Sequence, residues 1–306
     1  MASYRVRRFV QAIVTVFVVV TLAFIFGRLT GSPAANLLPE TASTEQIAEL
    51  NARLGFDKPY LVQYCDYLFG LLRGDFGDSY RQAGTSSLTM VLERLPASLQ
   101  LGSIGLILGL FLAFAVILII HLTNFAPFRA VALWLGSTRQ SIPDFFFGLL
   151  LVLLFSVTLG LLPSLGSTDP LAIIMPAFTI ATAQFVVYTR LLDSSLMEQS
   201  TQDYVRTARA RGESRQSILF RETLPNALLP VLTVAGINLG AFLGGLVIVE
   251  SVFAWPGIGQ LMIGAVYGRD FPVVQAGLIV IAVIFVTVNL CVDLLYGFID
   301  PRARVR

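Results

Sequence analysis

Charge is what this 306-residue chain lacks: Asp, Glu, Lys and Arg together supply 13% of it, against 56% hydrophobic residues. A water-soluble domain carries about a quarter charged residues, so there are too few here to dress a surface that faces water on all sides. Lysine is nearly absent. The only one, Lys58, is followed by Pro59, so the phosphate-cradling pattern GxxxxGK[ST] occurs nowhere. The only histidine is His121, which removes the paired histidines of an HExxH zinc site and argues against a Ser–His relay. Standing alone beside Asn124, it reads as a residue at a membrane boundary. The two cysteines, Cys65 and Cys291, have no metal-ligand spacing. Cys65 falls in an outer segment and Cys291 about 20 Å deeper at helical rise, beyond disulfide reach. Both read as structural. Net charge is only +2, which implies no nucleic acid or other polyanionic partner.

What is present is long apolar runs, from Phe9 to Phe26, Leu99 to Ile120, Phe145 to Leu162, Leu171 to Val187, Leu228 to Val249 and Val273 to Val288. Each approaches the ~20 residues with which a helix crosses a bilayer. None shows the period-2 alternation of a barrel strand, so helices are expected. The first run follows Arg5, Arg7 and Arg8; it is too long for a signal-peptide core and lacks a clean cleavage pattern, so it reads as an uncleaved span. Arginines also gather at Arg129, from Arg206 to Arg221, and at Arg302, Arg304 and Arg306, while the alternate short loops have almost none. The positive-inside rule then puts both termini in the cytoplasm. The expected layout is a cytoplasmic N-terminus 1–8, spans at 9–29, 96–121, 130–162, 171–192, 228–250 and 273–298, an extracytoplasmic segment 30–95, a cytoplasmic loop 193–227, an extracytoplasmic loop 251–272 and a cytoplasmic C-terminus 299–306.

Within 30–95, Ser43 and Gln46 form a capping box that opens one short helix, and a second starts near Pro59. Two short amphipathic helices cannot bury a core alone, so they should pack on span ends or on a partner. Span 3 is interrupted by Arg139, Gln140, Pro143 and Asp144. The proline predicts a kink, with 130–141 as the entry and 143–162 as the deep part. Gly236, Gly240 and Gly244 make a stripe of small residues in span 5, and Gly102, Gly105 and Gly109 make another in span 2. Such stripes let helices approach closely, within this chain or against a second one. Glu250, Asn289 and Asp293 are ionisable or polar groups at membrane depth, candidates for lining a path or for pairing with neighbours.

The stretch DYVRTARARGESRQSILFRETLPNALLP, Asp203 to Pro230, has a different character. Residues 203 to 211 read as a helix, Gly212 as its break, and Ser214 as the cap of a second helix ending before Pro225. Neither is long enough to cross a membrane. A helix–glycine–helix elbow joined to two spans suits docking a partner whose movement would then move the spans; resting on anionic lipid is the other reading.

This elbow resembles the cytoplasmic loop of ABC importer permeases, whose pattern is EAA, three residues, Gly, nine residues, Ile-x-Leu-Pro. Arg206, Thr207 and Ala208 fall on EAA, Gly212 on the glycine, and Leu224 and Pro225 on the closing Leu-Pro. Arg206, Thr207 and Glu222 depart from it, although an arginine followed by a small residue is typical of the peptide-import branch. GDFGDSYR (Gly74 to Arg81), ESVFAWPGIGQL (Glu250 to Leu261), GRDFPVVQA (Gly268 to Ala276) and VDLLYGFIDPRAR (Val292 to Arg304) also resemble the first of the paired permeases in the dipeptide/oligopeptide/nickel branch.

The resemblance implies an all-α membrane protein with the six-helix fold of ABC type I importer permeases and a small extracytoplasmic helical segment between helices 1 and 2. It implies coupling to an ATPase through Asp203, Tyr204, Arg206, Thr207, Ala208, Arg209, Arg211, Gly212, Leu224 and Pro225. Implied partners are a second homologous permease, two ATPase subunits that bind the ATP and Mg, an extracytoplasmic binding protein, a peptide substrate and the lipid of a bacterial inner membrane. The chain itself would hold no cofactor or metal and catalyse nothing. Dipeptides or short oligopeptides are the expected cargo, with nickel, glutathione and haem open in the same family. A stand-alone secondary transporter would call for internal repeats, and none is visible.

Overall fold

Backbone amides in hydrocarbon find no partner but each other, and in the computed structural model the apolar runs are helical. The structure describes residues 2–29, 34, 38, 42–123 and 125–299, with their side chains except at 2–5, 239–241, 243 and 293–299. In chain order the helices are α1 (Ala2–Leu29), α2 (Thr44–Arg53), α3 (Tyr60–Leu72), α4 (Ser87–Thr123), α5 (Ala126–Gln140) and α6 (Asp144–Leu151), which runs on through a π-turn (Val152–Thr158). A 3-10 turn (Pro170–Ile173) then leads into α7 (Ile174–Ser200), followed by α8 (Asp203–Ala210), α9 (Leu224–Val252), α10 (Ile258–Tyr267) and α11 (Phe271–Ile299). Among the described residues the only β pairing is an isolated bridge between Asp78 and Ser86. Five helical stretches there are long and apolar enough to cross a bilayer, and the bent pair α5–α6 passes the same test when its two arms are taken together as one span.

The chain forms two compact units. The first comprises residues up to Ser98 and Pro256–Cys291. In it α3 lies against α1: Tyr64 and Thr21 share a 2.7 Å hydrogen bond, and Phe24 packs on the rings of Tyr64 and Tyr67 at 5.1 and 5.5 Å. Arg28 stacks over Phe56 at 3.9 Å and over Phe24 at 5.1 Å. Burial pushes the Tyr67 and Tyr80 hydroxyls above the ordinary phenol range, so both keep their protons. The capping box of α2 is formed in both directions: Ser43 Oγ accepts from Gln46 N at 3.2 Å, and Gln46 Oε1 accepts from Ser43 N at 2.9 Å. α2 itself buries no side chain.

Two sequence segments far apart in the chain meet in this unit. Asp270 is buried and accepts from the Tyr80 amide at 2.9 Å and from the Ser79 hydroxyl, while Arg81 Nε donates to Gly268 O at 2.8 Å. The GDFGDSYR loop is thereby clamped onto the turn that opens α11. Ser98 Oγ accepts from Ile258 N at 2.8 Å and so caps α10. Val91, Ile258, Met262, Ala276 and Val280 form the apolar cluster of this unit.

The second unit comprises Leu99–Trp255 and the chain from Val292. Its centre is α7, along which α9, α5 and α6 pack. α4 approaches α7 at bare backbone: a Cβ on Gly109 would stand 2.7 Å from Ala181 O. A Cβ on Gly105 would stand 2.6 Å from Ile180. The span-2 glycines therefore serve packing within the chain. The span-5 stripe divides. Gly236 lies under Val292, where a Cβ would meet Cγ1 at 2.7 Å; Gly244 faces open space; the surroundings of Gly240 lie outside the described residues.

Span 3 breaks at Ser141–Pro143, and α5 and α6 meet at 104°. Pro143 cannot continue the hydrogen-bond ladder, and Arg139 fills the gap. It donates from Nη1 to Ile142 O at 3.0 Å, from Nη2 to Thr179 O at 3.1 Å and to Asp144 Oδ1 at 2.7 Å, and from Nε to Thr182 Oγ1 at 3.0 Å. It also lies over the Phe147 ring at 4.1 Å. The arginine is thus spent on the Ile142 carbonyl at the break, on Asp144 beyond it and on α7, which keeps it out of lipid. Arg139→Met should lower the apparent unfolding temperature of the purified protein in detergent by roughly 5 °C, from a loss of about 2–3 kcal/mol. Arg139→Lys, which keeps the charge without the planar fork, should recover less than half of that shift.

Candidate functional site

α8 is an eight-residue helix, DYVRTARA, with three charged residues, Asp203, Arg206 and Arg209, all exposed. Only Val205 and Ala208, one turn apart, are fully buried; they pack on Ile218 with Tyr204 at the edge. The Tyr204 hydroxyl donates to Gln199 Oε1 at 2.6 Å, which ties α8 back to the end of α7. Asp203 sits in the first turn, where a carboxylate suits the helix N-terminus.

The helix ends in a Schellman arrangement. Glu213 N donates to Ala208 O at 3.2 Å and Gly212 N to Arg209 O at 3.0 Å. This needs Gly212 at φ +80°, the left-handed region. The next element starts where Ser214 Oγ accepts from Ser217 N at 3.2 Å. It does not end before Pro225 as the sequence suggests. A π-turn, Ile218–Thr223, runs directly into α9 and the helix continues to Val252. The wider turn absorbs the amide that Pro225 lacks, and the Thr223 hydroxyl donates to Leu219 O at 3.1 Å. The elbow is therefore continuous with α9.

Asp203, Arg206, Thr207, Arg209, Arg211, Gly212 and Pro225 are exposed, Tyr204 is half-buried, and Ala208 and Leu224 are buried. Arg206 pairs with Asp203 at 3.3 Å and Arg211 with Glu213 at 2.9 Å. Exposed pairs of this kind are worth little; they leave the outer face polar and accessible.

Beneath the elbow lies a cluster that sequence reading missed. Asp193 of α7, 7% exposed, accepts from Arg129 of α5 at 2.8 Å and shares a 3.2 Å hydrogen bond with His121 at the end of α4. One turn away, Arg190 donates to Gln140 Oε1 at 2.9 Å and to Ser137 Oγ at 2.7 Å. His121 is thus a hydrogen-bond partner of the Arg129–Asp193 ion pair. The available signal was three ionisable residues at the ends of three different apolar runs, which a bundle brings to one depth. Between this cluster and the elbow is an open groove of about 570 Å³, lined by His121, Arg129, Met197, Arg209, Glu213 and Arg215 among others.

Deeper in the same unit, Asn238 of α9 donates to Gln184 Oε1 and to the Tyr188 hydroxyl, both at 3.3 Å. These three were not singled out from sequence. Glu250 is fully buried at the end of α9, its backbone carbonyl accepting from Trp255 N at 2.8 Å. Asn289 donates to its own helix at Phe285 O, 2.9 Å. The side chain of Asp293 lies outside the described residues.

Comparisons with known proteins agree with one another. Residues 105–305 match the family described as binding-protein-dependent transport system inner membrane component, and residues 1–102 match the N-terminal domain of such components. The oligopeptide transport system permease AppB of Bacillus subtilis is 34% identical over 99% of both chains. The glutathione transport system permease GsiC of Salmonella choleraesuis is 36% identical over 100% of both, and the dipeptide transport system permease DppB of Escherichia coli is 33% identical over 99% of both. A solved structure of the MetNI methionine ABC transporter superposes with TM-score 0.58 at 20% identity, covering 69% of this chain and 96% of that one, which supports the fold alone.

Removing the shared carboxylate would leave Arg129 and His121 facing each other unpaired. Asp193→Asn should therefore cost about 3 kcal/mol. In a double-mutant cycle with Arg129→Gln the two losses should fall short of adding by at least about 1 kcal/mol, read from thermal unfolding of the purified protein.

Proposed function

The chain belongs to the family of binding-protein-dependent transport system inner membrane components and is a permease subunit of an ABC importer, and from that premise we propose that it forms half of a peptide pathway driven through the α8 elbow. In this reading a second homologous permease completes the pathway, two ATPase subunits bind ATP and Mg, and a binding protein outside the membrane delivers cargo. Both termini and the elbow face the cytoplasm, on the arginine distribution. The chain itself carries out no chemistry.

One observation carries the coupling assignment. The elbow buries Val205 and Ala208 against Ile218, leaves Arg206 and Thr207 exposed, and joins α7 to α9 through two short turns, Thr201–Gln202 and Arg211–Ser214. A partner gripping the exposed face would move both long helices. Asp203, Tyr204, Arg211, Gly212, Leu224 and Pro225 shape that handle, while Arg209 lines the groove behind it.

Short peptides are the proposed cargo, since oligopeptide and dipeptide permeases match over nearly the whole chain. Glutathione is a second reading, favoured by the 36% identity to a glutathione permease. Gln184 and Asn238, both half-buried, are the polar groups best placed to meet a peptide bond inside the bundle, ahead of Tyr188 and Glu250, whose burial suits packing.

With Cys65 and Cys291 replaced by serine, Thr207→Cys should cross-link to the ATPase subunit through a short bifunctional thiol reagent, and buried Ala208→Cys should not. Labelling of Thr207→Cys by an impermeant reagent added outside intact cells would contradict the assignment. The space around Gly212 is open, so its conformation alone limits substitution. Gly212→Val should lose about 1–2 kcal/mol locally and most ATP-driven uptake, and Gly212→Asn should keep most of it, measured in proteoliposomes holding the assembled importer.

A further inference from the structure

The groove behind α8 has a charge balance that the coupling role does not use. Of its acidic and basic lining groups, Arg129 is committed to Asp193, and the Glu213 carboxylate already accepts from Arg211 at 2.9 Å and from the Ser217 hydroxyl at 3.1 Å. Arg209 and Arg215 also line it, and among the described residues neither guanidinium has a hydrogen bond or ion pair. The Ser200 and Thr223 hydroxyls are spent on backbone carbonyls, at 2.7 Å to Met197 O and 3.1 Å to Leu219 O. The rest of the wall is apolar, with Leu196, Met197, Val205, Ile218 and Leu219.

We propose that this groove binds the phosphate-bearing headgroup of an anionic phospholipid from the adjoining leaflet, held by Arg209 and Arg215. Two planar guanidinium forks suit a phosphate oxygen cluster. At about 570 Å³ the groove is far larger than a bare phosphate needs, and its apolar wall fits a glycerol backbone and the start of an acyl chain. It opens where the ends of α4 and α7 and the start of α5 meet, through His121, Met197, Ser200 and Arg129. On the orientation proposed above this is the level of the inner leaflet, where anionic lipids attract basic side chains. The lipid would wedge between the elbow and the bundle, on the side of α8 where Val205 and Arg209 line the groove.

The test is native mass spectrometry of the assembled importer taken from bilayers of equal phosphatidylglycerol and phosphatidylcholine. Wild type should retain phosphatidylglycerol in clear excess, and Arg209→Gln/Arg215→Gln should reduce that preference about thirtyfold, close to fivefold for each arginine. Arg206→Gln, which does not line the groove, should keep it, which separates lipid binding from partner docking. Should the double variant fail to assemble, wild type alone decides, because equal retention of the two lipids overturns the proposal. Release of the bound phosphatidylglycerol by millimolar inorganic phosphate, with phosphate retained in its place, would assign the groove to the free ion and overturn the lipid.

Discussion

A helix of eight residues does not hold its shape alone in water, because nucleation costs more than so few hydrogen bonds return. What keeps α8 folded is two small buried contacts, Val205 and Ala208 on Ile218, closed at one end by the Gly212 turn and tied at the other by Tyr204 to Gln199. The proposed coupling role depends on this packing. Were it loose, a pull on Arg206 or Thr207 would be absorbed in the elbow. Because Ile218 sits in a π-turn that runs straight into α9, the contact welds the elbow to one long helix and leaves it one short turn from the other.

The same economy governs polar groups throughout the second unit. Three polar groups of the bundle each join two or more helices. Arg139 stitches the broken ends of span 3 to α7, Asp193 draws α4 and α5 onto α7, and Asn238 bridges α9 to α7. Hydrocarbon makes an unpaired charge costly, so such residues settle where several partners converge. α7 is that place, and it is also the helix that delivers the chain to the elbow.

Local signals in the sequence were legible. The apolar runs became helices, the Ser43–Gln46 box formed as read, and span 3 broke at Pro143. The α8 helix, its glycine stop and the Ser214 cap could be placed because each depends on neighbours within a few residues. The continuation through Pro225 could not be read, since a π-turn has no sequence signature as plain as a proline. Pairings over long separations were equally hidden. Asp193 meets residues 64 and 72 positions away, and Asp270 meets residues 190 and 191 positions away. The glycine stripes gave a spacing without a partner: Gly105 and Gly109 proved to face α7, whereas Gly236 and Gly244 on one stripe have opposite surroundings.

Rigidity of the elbow can be measured directly. Spin labels at Ala210 on α8 and Leu229 on α9, both exposed, report their separation by pulsed electron paramagnetic resonance in the assembled importer with and without ATP. An elbow that moves as one piece with α9 predicts a single distance that changes by less than about 2 Å, the scale of packed-helix shifts, while the importer turns over. A distance that broadens or shifts well beyond that on ATP binding would mean the elbow flexes independently, and force could not pass through it to the spans.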